Sequence, residues 1–161
     1  MAKQKGFNIS IFISSFFYTG FFPYAPGTAG SVAAFLLYIS ILRFLNPYYY
    51  IALCVSIFIL GVYFSSGAEK ISGIKDPSFV VIDETAGYLT VMIGVLWFPF
   101  SILYAVLGFI LFRFFDILKP FPVRYIDKNV EGGLGVMLDD IVAALFSIIV
   151  LRFIIILTAH I

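Results

Sequence analysis

Charge is scarce in this sequence. The 10 Lys and Arg and 9 Asp and Glu residues make up 12% of the 161 residues, about half the share of roughly 25% found in soluble domains. Hydrophobic residues make up 62%, and the mean hydropathy is +1.09. So few charged residues cannot cover a water-exposed surface, so the chain is not a soluble domain. The same composition excludes a disordered chain, a collagen and a coiled coil. We interpret residues 1–161 as one membrane-embedded domain.

Cysteine and histidine each occur once, which removes several chemistries. Cys54 has no partner for an intrachain disulfide, and together with His160 it cannot supply a Cys/His zinc site. We expect His160 to be a tail residue, so a phosphohistidine mechanism is excluded, and the sequence around Cys54 lacks the Cys-x₅-Arg loop of cysteine phosphatases. There is no Walker A motif, and a net charge of +1 gives no reason to expect a nucleic-acid partner.

Long charge-free windows separated by Gly and Pro mark the membrane spans. About 20 apolar residues cross the hydrocarbon core, and runs of that length without strand-type alternation predict helices. We therefore expect an all-α integral membrane protein with about five transmembrane helices, near residues 28–45, 48–67, 80–97, 100–118 and 137–158. Residues 8–21 follow Lys3 and Lys5 as in a secretory signal but lack a cleavage site. We predict that they form a retained interfacial or re-entrant helix.

If successive spans cross the membrane in alternating directions, starting from the inside, the charged residues fall mainly on one face of the membrane. Most basic residues fall on one face, which the positive-inside rule makes cytoplasmic, and only Arg43 and Arg152 fall toward the other. The carboxylates all fall on the cytoplasmic side as well: Glu69, Asp76, Asp83, Glu84, Asp116, Asp127, Glu131, Asp139 and Asp140. The site is therefore expected at the cytoplasmic boundary.

Five of these carboxylates are the candidate metal ligands and catalytic residues. If the last three spans pack together, their acidic ends converge: Asp83, Glu84, Asp116, Asp139 and Asp140. Crowded carboxylates must protonate, pair with basic residues or bind a cation, and oxygen-only ligands suit Mg²⁺. Adjacent helical residues diverge by about 100°. We therefore predict that one acid of each neighbouring pair faces the ion and the other a basic partner or a water.

Candidate phosphate contacts accompany these acids. Three basic residues lie on the same side: Arg113, Lys119 and Arg124. A carboxylate-held metal and basic residues together suit attack of water on a phosphate. We expect these residues to contact such a substrate phosphate, with Lys119 nearest because it is one turn from Asp116. Thr28 and Ser31 lie at a glycine-rich helix start, where free N–H groups bind anions. The simpler interpretation is that the acids cap helices and the basic residues anchor the chain at the membrane surface.

Three blocks of sequence resemble the phosphatidylglycerophosphatase A family. They are PGTAGS at 26–31, DPSFVVIDETAG at 76–87 and FRFFDILKPFPVRYIDKNVEGGLGVMLDD at 112–140. The resemblance implies a Mg²⁺-dependent phosphatase of the bacterial inner membrane with its active site on the cytoplasmic side. Its substrate would be phosphatidylglycerophosphate, and its products phosphatidylglycerol and inorganic phosphate.

Other functions stay open beside this one. A phosphatase for another lipid phosphate would use the same residues. A cation-coupled transporter would carry ionisable residues near the bilayer midplane, whereas these lie at one edge. A membrane scaffold would leave the acidic residues only as helix caps. Membrane lipids are expected partners in every case.

Overall fold

The computed structural model describes residues 8–159, which form helices joined by short turns and contain no strand. The prediction of an all-α fold is confirmed, whereas Lys3, Lys5 and His160 lie outside the described residues. The helices are α1 (Ile9–Ser14), α2 (Pro26–Ser40), α3 (Pro47–Ser72), α4 (Ile82–Ile93), α5 (Ile102–Leu118), α6 (Val123–Asn129) and α7 (Gly132–Ala159).

The short helix α4 lies at the centre of the bundle. It packs against α2, α3, α5 and α7, and most of its side chains are buried. A polar contact joins it to α3: the buried Tyr50 hydroxyl donates to the Leu89 carbonyl at 2.8 Å. Gly87 lets α5 approach closely, because a Cβ at this position would overlap the Phe112 ring. The middle of α4 is therefore closely packed against α3 and α5.

Two helices, α3 and α7, are long and apolar enough to cross a membrane. The predicted spans near 28–45, 80–97 and 100–118 correspond to the shorter helices α2, α4 and α5. The chain leaves α4 at Gly94 although its apolar run continues to Trp97. Apolar runs in the sequence therefore extend beyond the helices that they contain.

The opening segment differs from the predicted helix over 8–21. The Asn8 side chain caps α1 by accepting hydrogen bonds from the Ser10 and Ile11 amides. The helix ends at Ser14, and the backbone then takes left-handed conformations at residues 16–18 before a 3₁₀ turn over Thr19–Phe21. Because bulky L-residues rarely continue a helix in that conformation, α1 stays short.

The charges separate along the bundle. The carboxylates lie near the ends of α3 and α5, near the starts of α4 and α7, in α6 and in the loop before α4. We call this region the acidic end. At the opposite end the Arg43 guanidinium lies 4.2 Å from the Phe100 ring centroid, and Arg152 Nε donates to the Gly94 carbonyl at 3.0 Å. The structure thus places charged residues where the threading of the sequence put them.

Candidate active site

Three carboxyl groups from two helices meet at the acidic end. Asp83 and Glu84 belong to the first turn of α4, and Asp140 belongs to α7. Each offers an oxygen, and these oxygens lie within 4.8 Å of one another. Asp83 Oδ1, Glu84 Oε2 and Asp140 Oδ2 are buried and have no hydrogen-bond partner among the described residues. We call these three residues the carboxylate cluster.

Helix capping does not account for this cluster. Asp83 and Glu84 do occupy a first turn, where the helix dipole favours negative charge. Asp140, however, lies eight residues after Gly132, the first residue of α7, and the dipole effect has faded by then. Asp140 is only 3% exposed. A buried, unpartnered carboxylate is costly unless it is protonated or near a cation, so the cluster has the chemistry of a cation site.

Arg113 joins α2, α4 and α5 beside the cluster. Its Nη1 atom lies 2.7 Å from Asp116 Oδ2, one turn further along α5, and 4.0 Å from Glu84 Oε1. It also donates to Ser31 Oγ at 3.4 Å. Asp116 in turn neighbours the Asp140 carboxyl group. The partner of Asp116 is therefore Arg113, and Asp116 borders the cluster.

Lys119 connects α5, α6 and α7. Its ammonium lies 2.7 Å from Asp139 Oδ2 and 2.8 Å from Asp127 Oδ1. Partial burial opposes the charge, but the hydrogen bonds to these carboxylates hold the pKa of Lys119 above its ordinary value. Lys119 thus carries a stable positive charge that neutralises Asp139.

The two pairs of adjacent acids behave differently. In α7, Asp139 turns to Lys119 while Asp140 joins the cluster, as expected for neighbours on a helix. In α4, both Asp83 and Glu84 offer an oxygen to the cluster. The longer side chain of Glu84 compensates for the angle between the two positions. In α7 the two acids therefore face different partners, whereas in α4 both lie in the cluster and Glu84 also approaches Arg113.

The start of α2 approaches the cluster closely. A Cβ at Gly27 would overlap the Glu84 carboxylate, so only glycine fits there without displacing Glu84. Ser31, one turn later, donates to the Gly27 carbonyl at 2.9 Å and accepts from Arg113. Thr28 instead lines a separate apolar groove on the outer side of α2. The structure therefore brings Ser31 to the site and leaves Thr28 outside it.

Arg124 lies on the exposed surface of α6, a helix that the sequence analysis did not predict. It forms no ion pair with residues 8–159. It nevertheless lines a surface groove together with Arg113. Arg124 is thus connected to the site through this groove.

Asp76 is a further acidic group at the site. It lies in the loop between α3 and α4, where its amide donates to Glu69 Oε1 at 2.8 Å. The residue is exposed, but its carboxyl group faces the acidic end. Loss of hydration there, and then the charge of Asp139, raise the pKa of Asp76 to about 6. The sequence could have indicated this role, because Asp76 lies in the same sequence block, residues 76–87, as Asp83 and Glu84.

Comparisons with known proteins agree with this arrangement. The family model described as Phosphatidylglycerophosphatase A matches residues 12–155. A Haemophilus influenzae protein of that name is 38% identical over 78% of this chain and 76% of its own. The corresponding Escherichia coli K12 protein is 37% identical over 86% of this chain and 78% of its own.

A third relative carries a different name. A Bacteroides thetaiotaomicron protein named "Putative phosphatidylinositol-3-phosphatase" is 37% identical over 92% of this chain and 94% of its own. No solved structure matches the chain. The family model covers most of the chain, including every residue of the site described above. The chain therefore belongs to the phosphatidylglycerophosphatase A family, a family of phosphoric monoester hydrolases.

Proposed function

We propose that this protein hydrolyses the terminal phosphate of phosphatidylglycerophosphate, giving phosphatidylglycerol and inorganic phosphate. Membership of the family supports this substrate. The observation that carries the proposal is the carboxylate cluster beside Arg113 at one end of a bundle with two membrane-length helices. A phosphate held at the end of such a bundle would belong to a lipid headgroup.

The proposed cofactor is Mg²⁺. The cluster residues fit it, because they offer only carboxylate oxygens and three of these oxygens are buried without a partner. Negative charge is also in excess, since among residues 8–159 only Arg113 and Lys119 form ion pairs with these acidic groups: Asp83, Glu84, Asp116, Asp127, Asp139 and Asp140. When bound, Mg²⁺ polarises a phosphoryl oxygen and lowers the pKa of a bound water.

Basic side chains would hold the phosphate. Asp116 fixes one edge of the Arg113 guanidinium, while Arg113 Nε is buried and has no partner among the described residues. A phosphate oxygen is the natural acceptor for such a donor. Lys119 uses two of its three protons on Asp127 and Asp139, which leaves one for the substrate. Ser31 completes the proposed contacts with this phosphate. Arg124 is a proposed contact elsewhere on the substrate, and Thr28 would serve only if the substrate reached the outer side of α2.

The reaction needs one water and one proton transfer. A cluster carboxylate accepts a proton from the attacking water, whose oxygen forms a bond to phosphorus in line with the departing glycerol oxygen. The bond between phosphorus and that oxygen breaks, and the oxygen takes up a proton to become the hydroxyl of phosphatidylglycerol. No covalent enzyme intermediate is required, and the roles of Asp139 and Asp116 are to position Lys119 and Arg113.

The proposed location is the bacterial inner membrane, with about five spans and the acidic end in the cytoplasm. The segregation of Arg43 and Arg152 from the remaining described basic residues supports this orientation. The packing of α4 against both long helices and α2, and of α5 against α7, supports additional spans. Short helices satisfy their own backbone groups and so tolerate a lipid environment.

A second candidate is hydrolysis of a different lipid phosphate. The name of the Bacteroides relative, which aligns over most of both chains, favours keeping this candidate. Phosphate release by the purified protein in detergent micelles separates the two. We expect phosphatidylglycerophosphate to be preferred over phosphatidic acid and phosphatidylinositol 3-phosphate, each with the same acyl chains. A preference for either of those lipids would replace the first proposal with the second.

A further inference from the structure

A groove between α5 and α6 leads from the outer surface of the bundle to the candidate active site. Its volume is about 450 Å³. The residues that line it are Ile110, Arg113, Phe114, Ile117, Leu118 and Arg124. Arg113 therefore borders both this groove and the carboxylate cluster.

One wall of the groove is apolar and faces outward. Ile110, Phe114 and Ile117 follow one another along a single face of α5. They are 55%, 55% and 73% exposed, respectively. In water such a stripe would be costly, whereas against acyl chains it is well solvated. The wall therefore suits the hydrocarbon part of a lipid.

The polar wall of the groove carries two arginines, of which only one is paired with an acidic residue of the described chain. Arg113 is already paired with Asp116 and approaches Glu84, whereas the exposed Arg124 has no acidic partner among residues 8–159. A guanidinium with free donors is a strong phosphate ligand. The groove thus combines an uncommitted phosphate-binding charge with an apolar surface.

A second groove, on the outer side of α2, lacks this combination. It has a volume of about 360 Å³ and is lined by Phe22, Ala25, Thr28, Ala29, Val32, Ala33 and Leu36, with no charged residue. It can accept an acyl chain but offers no cation to a headgroup. Of these two grooves, only the one between α5 and α6 offers charge complementarity to an anionic lipid.

We propose that the lipid substrate reaches the active site sideways through the groove between α5 and α6. The terminal phosphate lies at Arg113 beside the cluster, the diester phosphate binds Arg124, and an acyl chain lies along Ile110, Phe114 and Ile117. This inference rests on the proposed function, because it takes a lipid with a monoester and a diester phosphate as the ligand. It makes Arg124 a determinant of substrate affinity.

Filling each groove in turn tests the route. Ile110→Trp places an indole in the groove between α5 and α6, and Val32→Trp does the same in the groove on α2. We expect kcat/KM for long-chain phosphatidylglycerophosphate to fall about tenfold or more in Ile110→Trp and to stay within about twofold of the parent in Val32→Trp. A loss confined to Val32→Trp, or equal effects of the two variants, would overturn the proposal.

The role of Arg124 is tested against its neighbour on α6. Arg124→Gln should raise KM for phosphatidylglycerophosphate about tenfold with kcat nearly unchanged, since a charged hydrogen bond to a non-reacting phosphate is lost. Arg124→Lys should restore part of the affinity. Lys128→Gln, which removes an exposed charge of the same helix outside this groove, should leave KM within about twofold. An unchanged KM in Arg124→Gln would overturn the assignment.

Photo-crosslinking distinguishes failure of this inference from failure of the proposed function. A phosphatidylglycerophosphate analogue with a photoactivatable acyl chain is bound to the parent protein, and the labelled residues are mapped by mass spectrometry. Label on Phe114 or Ile117 supports the groove even if no phosphate is released. Label confined to Val32 and Leu36 overturns the groove even if the enzyme is active.

Discussion

Asp139 and Asp140 are adjacent in α7, but their side chains serve two different parts of the site. Asp139 accepts a hydrogen bond from Lys119 at 2.7 Å, whereas Asp140 turns toward Asp83 and Glu84. One of these acids is therefore neutralised by a permanent cation, and the other is buried without one. This difference separates the groups that hold basic residues in place from those available to a metal ion.

Removing a cluster charge should remove most activity. We expect Asp83→Asn and Asp140→Asn each to lower turnover of phosphatidylglycerophosphate about 100-fold, the scale of losing a metal ligand or its support. Asp116→Asn should also remove most turnover, because it releases Arg113. Glu131→Gln is the matched control: Glu131 is an exposed acid of the same end, and its neutralisation should leave turnover nearly unchanged. Comparable losses in Glu131→Gln would contradict a specific role for the cluster.

Lys119 should matter more than its more exposed partner, Asp127. Lys119→Gln leaves Asp139, which is 5% exposed, without its cation, so we expect a lower melting temperature and about tenfold lower turnover. Asp127→Asn removes only the more exposed of the two hydrogen-bond acceptors and should change both quantities less. Differential scanning fluorimetry and phosphate release provide the comparison. A larger effect of Asp127→Asn would reverse the assignment.

Asp76 should make stability depend on pH. Its pKa is raised from 3.8 to about 6 in the folded protein, so the fold disfavours the ionised form. The stability contributed by its protonated form is present below about pH 4 and is lost as the pH rises through about 6. Asp76→Asn cannot ionise, and asparagine tolerates the left-handed backbone at this position.

The melting temperature of Asp76→Asn should therefore rise relative to that of the parent between pH 4 and pH 7. Asp127→Asn, measured in the same buffers, controls for the general effect of removing an acid from this end. If the difference between parent and Asp76→Asn is the same at both pH values, the raised pKa is wrong.

Gly27 should be needed for the position of Glu84. In Gly27→Ala the new methyl group displaces the Glu84 carboxylate, and we expect turnover to fall about tenfold or more while the helical content is retained. Gly108→Ala is the matched control, since its methyl group meets the flexible end of Met92 away from the site. Circular dichroism and phosphate release measure the two effects. Equal activities of the two variants would show that the contact between Gly27 and Glu84 is dispensable.

Charge placement was the part of the structure that the sequence predicted best. Charged residues are excluded from apolar helices, so nine acids in a chain with long apolar runs had to lie near helix ends, and threading put them at one end. The convergence of Asp83, Glu84 and Asp140 follows from this once α4 and α7 begin side by side.

Local backbone features and helix lengths were harder to predict. α6 spans only Val123–Asn129, too short for its periodicity to stand out between charged neighbours. The left-handed residues after α1 are Phe16, Phe17 and Tyr18, side chains that give no sign of such a conformation. Contacts between distant segments, such as Gly27 with Glu84 and Arg113 with Ser31, depend on helix packing that no local pattern records.

The most direct test of the account is the metal dependence of phosphate release from phosphatidylglycerophosphate in detergent micelles. The parent protein should lose nearly all turnover in EDTA and regain it when Mg²⁺ is added in excess. Asp140→Asn should stay largely inactive at Mg²⁺ concentrations that saturate the parent, while Glu131→Gln should follow the parent curve. Full turnover of the parent in excess chelator, or a normal Mg²⁺ response in Asp140→Asn, would contradict the claim that the carboxylate cluster holds the catalytic ion.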